Sequence, residues 1–179
     1  SVKRQLGSTI KPLAVYAPCI EEGICHPLTK INDEKTDFNG YSPSNYNDKY
    51  YGKVTVKTSL EKSLNTPAVK LLNDLGLDKS LSYLNKCGLK FSKNNGLALA
   101  LGGTTEEFTL IDIASAYGIF KSEGNYFKPK TIKKIVDNNG KVIYVDKTKS
   151  KKVISEDTAY LTADMLNGVV NNGTARRLI

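Results

Sequence analysis

Long apolar runs are missing from this 179-residue chain, and with them any stretch of about 20 residues able to cross a bilayer as a helix. Nothing at its start has the charged-then-apolar pattern of a signal peptide. Histidine is almost absent. The single His26 stands beside Pro27 in a loop-like stretch, which leaves no serine–histidine–aspartate arrangement beyond that one residue. Cysteine is scarce too, and no Cys-x-x-Cys pair exists among Cys19, Cys25 and Cys87. Cys19, Cys25 and His26 amount to three metal ligands where a structural zinc usually takes four. Cys19 and Cys25 are also close enough for a disulfide, or they are free buried thiols. Cys87 reads as a buried helix-end residue. Acidic residues are in deficit: 26 Lys and Arg against 18 Asp and Glu give a formal +8. Such a charge suits nucleic acid, an acidic membrane surface or acidic wall polymers. The lysines read as scattered and without interleaved aromatics, which argues against nucleic acid. Lys147 to Lys152 is the one run and reads as a solvated loop. Hydrophobic content of 40% and charged content of 25% are those of a soluble domain, or a fragment of one, able to bury a core.

What is there is organised around Arg4-Gln5-Leu6-Gly7-Ser8-Thr9-Ile10-Lys11-Pro12. Serine and lysine three apart share one helical face, so the amine can reach the hydroxyl. Proline is tolerated in a first turn, which predicts a helix starting at about Ser8 or Thr9 and running through Ala17, with Gly7 as the tight entry. Ser8 then sits at the positive mouth of that helix, where a developing anion is favoured. The same dipole, with burial, pushes the Lys11 amine toward its neutral, basic form. Alone the motif is weak. With 13 serines and 23 lysines, chance gives about two Ser-x-x-Lys matches, and Ser59/Lys62 is the second.

The first helix is expected to be kinked or cut short by Pro18 and to end with Gly23 as a left-handed cap. Cys25 to about Tyr51 reads as irregular. Val54 to Val56 reads as a short strand, and a helix with a Ser/Thr start covers Thr58 to Lys62. Thr66 is expected to cap a helix with Pro67 at its first position, running to Gly76. Further helices are expected at Asp78–Lys86, closed by Gly88, and at Leu97–Leu101, ending in Gly102-Gly103. Another follows Thr109, whose capping box with Asp112 precedes Leu110 to Phe120. Thr131–Val136 and Lys141–Val145 flank Asp137-Asn138-Asn139-Gly140 as a β-hairpin. A last helix starts at Ser155 and stops at Asn171-Asn172-Gly173. The chain is mainly helical, with no repeats.

A second element decides the first. Ser63-Leu64-Asn65 lies between two helices, 52 residues beyond Lys11. In this order and setting the two motifs resemble the penicillin-binding proteins and serine β-lactamases, most closely the transpeptidase domain of class A, bifunctional penicillin-binding proteins. The likeness continues through Tyr41-Ser42-Pro43-Ser44-Asn45-Tyr46, Thr66 to Val69, Leu101-Gly102-Gly103, Ala114 to Gly118, Pro129 with the hairpin, and Asn172-Gly173-Thr174-Ala175. The fold implied is α/β (α+β): a helical subdomain with an antiparallel sheet flanked by helices, cut here before the C-terminal strands.

The resemblance implies a peptidoglycan D,D-transpeptidase, needing no metal and no cofactor. Ser8 is then the nucleophile toward stem peptides ending in D-Ala-D-Ala and toward β-lactams. Lys11 is the proton acceptor, Ser63 the relay, and Asn65 positions Lys11 and holds substrate. Gly103 and Tyr46 are further substrate-side candidates, with a turn and a packed loop as their plainer readings. The resemblance also implies an upstream glycosyltransferase domain and a membrane anchor outside this chain, on the extracytoplasmic face of a bacterial membrane. Leu6 and Ile10 replace the proline and phenylalanine common in the class, which leaves the chemistry intact. No Lys-Thr-Gly follows Ser63, and Lys57-Thr58-Ser59 lies too early, so residues 1–179 are expected to be part of a domain and inactive alone. The alternatives are a β-lactamase, for which no acidic residue stands in a matching context, and a β-lactam sensor or inactive wall-binding domain of the same fold.

Overall fold

The computed structural model describes residues 2–178. Strand β1 (Lys3–Arg4) leads into an unbroken helical rod. It consists of a 3₁₀ turn at Gly7–Ile10, a π turn at Pro12–Tyr16 and helix α1 (Ala17–Glu21). Ile10, Ala14, Val15, Tyr16 and Cys19 are wholly buried, so the rod is the axis of the core. The kink expected at Pro18 takes the form of the π turn. A proline cannot donate to the carbonyl four residues back, and its ring crowds that oxygen. The wider turn opens the ladder, and Ser80 Oγ donates to Ala14 O at 2.7 Å. Helix α1 stops as expected. Ile24 N donates to Cys19 O (2.9 Å) and Gly23 N to Ile20 O (3.0 Å), the paired bonds of a Schellman motif.

The stretch after Cys25 is less irregular than its composition suggests. Strand β2 (Lys30–Asp33) pairs antiparallel with β3 (Gly52–Thr55), Lys30 opposite Thr55 and Asp33 opposite Gly52. Val56, expected in the strand, opens helix α2 (Val56–Glu61), whose cap is Thr55 accepting from Thr58 N. Helix α3 (Asn65–Leu75) and helix α4 (Leu77–Lys86) follow. Thr66 does not cap α3: it lies inside the helix, and its buried hydroxyl has no partner among the described residues. The cap comes from 20 residues upstream, where Asn45 Oδ1 accepts from Asn65 N at 2.6 Å. Asn45 is itself held, its amide donating to Asp33 Oδ1 (2.7 Å) and Lys49 O (3.0 Å).

A 3₁₀ segment at Lys93–Leu101 leads to β4 (Phe108–Thr109), which pairs with β1. Helix α5 (Leu110–Tyr117) starts with the expected Thr109/Asp112 capping box, both reciprocal bonds present. Strand β5 (Asn125–Tyr126) precedes the hairpin of β6 (Lys134–Val136) and β7 (Val142–Val145). Strand β8 (Lys151–Lys152) then returns to pair with β5. Helix α6 (Glu156–Asn171) is capped by Ser155, and Glu21 at the end of α1 accepts from Ser155 N and Oγ. Among the described residues the sheets are four antiparallel pairs. The core is helical: Val69, Leu72, Leu84, Leu89, Leu99 and Met165 are fully buried between the rod and the helices around it, each worth about 1.5–3 kcal/mol relative to exposure.

Candidate active site

Lys11 is the only lysine with no exposed surface among the described residues. A buried amine needs oxygen partners or a lost proton, and Lys11 shows features of both. Its Nζ donates to Ser63 O (2.7 Å), Asn65 Oδ1 (2.7 Å) and Leu64 O (3.2 Å), and lies 3.2 Å from Ser63 Oγ. Burial brings the amine down from the ordinary lysine range to about 7. The ammonium form has one hydrogen for each of these three carbonyl oxygens; the neutral amine has two hydrogens and a lone pair that can accept from a hydroxyl.

The loop that surrounds the amine is set by the end of α2. Leu64 N donates to Ser59 O and Ser63 N to Leu60 O, each at 2.9 Å, a second Schellman arrangement. Its left-handed position, normally glycine's, is occupied by Ser63 at φ +53. A serine held there costs about 1–2 kcal/mol, and this backbone turns both its carbonyl and its hydroxyl toward Lys11. Asn65 is anchored at both ends: its N–H meets Asn45 and its side-chain amide donates to Ser44 O at 2.7 Å.

Ser8 sits in the first 3₁₀ turn, one turn before Lys11, whose N–H donates to Ser8 O. It is exposed, and its own N–H, in the first turn, has no intrahelical acceptor. A cleft of about 250 Å³ opens on it, with Ser63, Leu60, Tyr117, Thr174 and Ala175 among its walls. The Ser8 hydroxyl is not one of the four oxygens on Lys11 Nζ; Ser8 is one of the residues lining the cleft. Lys11, Ser63 and Asn65 are thus brought into one hydrogen-bonded group, with Ser8 at its edge. Tyr46 is 88% exposed, on the loop that carries Asn45. Gly103 is exposed, its N–H donating to Ala98 O at 3.3 Å. Neither Tyr46 nor Gly103 is among the cleft walls.

Sequence reasoning did not see the tasks of Asn45, Tyr117, Thr174 and Ala175, although each stands in a stretch that carries the resemblance. Asn45, by sequence a cleft wall or a packed-loop residue, caps α3. Tyr117 donates from its hydroxyl to Thr9 O at 2.6 Å, fixing α5 against the Ser8 turn. Thr174 and Ala175 reach the cleft because Gly173 lies against the backbone of Glu61, where an added Cβ would come within 2.2 Å of Glu61 O. Ser59/Lys62 is no second centre: Ser59 is buried, bonded to Val56 O (2.7 Å) and Tyr16 OH (3.1 Å). His26 is exposed, and no group of three metal-ligating side chains occurs among the described residues. Cys19 and Cys25 are free, buried thiols.

Gly102 packs against the turn that carries Ser8. It has φ +72, and a Cβ there would stand 2.2 Å from Gly7 O and 2.5 Å from Gly7 N. Gly102→Ala is expected to destabilise the domain by about 2–4 kcal/mol, the left-handed penalty plus overpacking. Because Gly7 precedes Ser8, acylation of Ser8 should slow as well. Urea unfolding alongside penicillin labelling checks both, and an unchanged midpoint would count against the contact.

A mixed helical and antiparallel domain with a buried lysine between two serines is thus defined. A family model described as "Penicillin binding protein transpeptidase domain" matches residues 3–178, and the chain belongs to that family. It is 39% identical over 172 residues to Penicillin-binding protein 1F of Bacillus subtilis, covering 96% of this chain and 24% of that protein. It is likewise 39% identical to Penicillin-binding protein 1A of Clostridium acetobutylicum, covering 95% and 22%. The chain therefore spans about a quarter of these relatives. The crystal structure of Penicillin-Binding Protein 1A from Haemophilus influenzae superposes with TM-score 0.79 at 26% identity, over 96% of this chain and 30% of that one. The D,D-transpeptidase domain of a peptidoglycan glycosyltransferase from Eggerthella lenta shares the fold at TM-score 0.84 and 20% identity, over 100% and 51%.

Proposed function

We propose that these residues form the acylation centre of a peptidoglycan D,D-transpeptidase. The observation that carries the reading is Lys11 Nζ, buried, within reach of Ser63 Oγ and Asn65 Oδ1 and one turn from an exposed Ser8. Lys11 in its neutral form takes the proton of Ser8 Oγ as that oxygen attacks the carbonyl carbon of the penultimate D-Ala. The N–H of Ser8 donates to the oxyanion. The carbon–nitrogen bond to the terminal D-Ala then breaks, and the proton passes from Lys11 through Ser63 to the leaving nitrogen. An amine from a neighbouring stem attacks the ester, forms the cross-link and restores Ser8. Asn65 holds Lys11 and accepts or donates to an amide of the bound peptide. Tyr46 and Gly103, the further substrate-side candidates, are not among the walls of the cleft at Ser8.

The same route acylates Ser8 with a β-lactam, whose ring amide replaces the D-Ala-D-Ala bond and whose leaving nitrogen stays tethered. The second oxyanion donor and the contacts to the substrate carboxylate come, in this reading, from a Lys-Thr-Gly segment outside residues 1–179. The domain works at the extracytoplasmic face of a bacterial membrane, with an anchor and a glycosyltransferase domain elsewhere in the polypeptide. No described helix is long and apolar enough to span a membrane. Among the described residues no carboxylate lines the cleft at Ser8.

The test is intact-mass spectrometry of the complete polypeptide after benzylpenicillin. One added drug mass on the wild type and none on Ser8→Ala is the expected result; an adduct that survives Ser8→Ala overturns the assignment.

A further inference from the structure

The cleft at Ser8 makes no use of the strongest charge on the molecule. The arm formed by residues 128–152 holds nine lysines against two aspartates, a net +7 out of the chain's net +8. These lysines lie on the β6–β7 hairpin, on the segments flanking it and on β8. All nine are exposed. Both aspartates are already engaged. Asp137 accepts from the N–H groups of Asn139 and Lys141 inside the hairpin turn, each at 2.9 Å. Asp146 pairs with Lys130 and accepts from Thr148 N at 3.1 Å. At the base of the arm a cleft of about 320 Å³ is lined by Lys128, Lys130, Lys133 and Lys149, with Phe127 and Asp146 among the other walls. Lys128, Lys133 and Lys149 form no salt bridge among the described residues. Three like charges around one concavity repel each other unless an anion is seated between them.

We propose that this arm binds a phosphodiester polyanion, a chain of alditol phosphates of the kind that makes up acidic wall polymers. One phosphate sits among Lys128, Lys133 and Lys149, and neighbouring repeats run past Lys147 and Lys151. Lysine suits this task as a point charge that meets phosphate without fixed orientation. The chemistry of the arm disfavours the other anionic surfaces. A bilayer would take an apolar tip, but the tip is Asp137-Asn138-Asn139-Gly140-Lys141, and the exposed Ile135, Val136, Val142, Ile143, Tyr144 and Val145 lie along the two strands behind it. Single-stranded nucleic acid would stack on a row of aromatic platforms, whereas the exposed rings here are Phe127 at the base of the arm and Tyr144 on β7, on separate segments. The identity of the polyanion, though not the charge of the arm, rests on the extracytoplasmic role proposed above.

The test measures binding of the complete polypeptide to immobilised poly(glycerol phosphate) across a salt series. The triple variant Lys128→Gln, Lys133→Gln, Lys149→Gln is expected to lose roughly tenfold or more in affinity, and its salt slope should fall by about 1, one phosphate no longer being neutralised. A control triple, Lys30→Gln, Lys35→Gln, Lys53→Gln, removes the same net charge elsewhere and should stay within about threefold of wild type, since its lysines touch no phosphate. Equal losses in both triples overturn the proposal. So does an absence of wild-type binding at about 50 mM salt, the low end of the usual range. Tighter binding to phosphatidylglycerol vesicles or to single-stranded DNA at equal phosphate concentration overturns it as well. Penicillin labelling of the same samples separates the two proposals and reports folding of each variant. A protein that binds the polymer but takes no penicillin defeats the functional assignment alone; one that takes penicillin but ignores the polymer defeats only this inference.

Discussion

Lys11→Met is expected to slow acylation of Ser8 by penicillin by about 10³-fold or more, the scale of losing the base that activates a serine nucleophile. Lys11→Arg should not rescue it, because a guanidinium keeps its proton at any working pH. For the wild type, only the neutral amine can accept a proton, and burial places that transition at about 7. The acylation rate should therefore climb with pH and level off above this value, while the residual rate of Lys11→Met stays flat there. A wild-type rate that is level from pH 6 to pH 9 would remove Lys11 from the role. The same burial acts on stability, with a definite sign. The folded value lies below the ordinary 10.5, so between about 7 and 10.5 the unfolded chain holds a proton that the folded chain has released. The site's contribution to stability is greatest above that window and is lost as pH falls toward 7. Urea titrations of wild type and Lys11→Met, compared at both ends of the window, isolate it.

Ser63 supplies the second large effect, and there activity and stability separate. Ser63→Ala and Ser63→Gly both remove the hydroxyl at 3.2 Å from Lys11, and both should cut acylation by about 10²-fold or more as a proton relay is lost. Their stabilities should diverge. Alanine keeps the left-handed penalty of φ +53, whereas glycine does not, so Ser63→Gly should be the more stable of the two by about 1 kcal/mol. A glycine variant less stable than the alanine variant would mean that the serine is not strained as described.

The sequence was most legible where the physics is local. The Thr109/Asp112 capping box, the Gly23 stop and the extent of α4 and α6 depend on residues within one or two turns, and they fell where spacing and cap chemistry put them. The pairing of Lys11 with Ser63 and Asn65 was legible through motif order and resemblance, not through periodicity. What failed was non-local or inverted. Strand β2 buries an aspartate where a strand pattern asks for an apolar residue, because Asp33 serves Asn45 and the N–H of Tyr51. Thr66 looked like a cap, but Asn45 does that work from another loop. The π turn required knowing that Ser80 would reach Ala14. Ser63 occupies a glycine's position, so its backbone could not be inferred from its side chain.

Two of the three carbonyl oxygens on the Lys11 amine belong to the main chain, at positions 63 and 64. Codon changes at those positions rewrite side chains and leave peptide oxygens where they were. Those two contacts are consequently insulated from side-chain replacement and answer to the path of the loop, while the third depends on the Asn65 side chain. A variant that sheds sensitivity to an inhibitor by displacing this lysine would have to reroute the chain between α2 and α3, and it would lose the enzyme along with the drug.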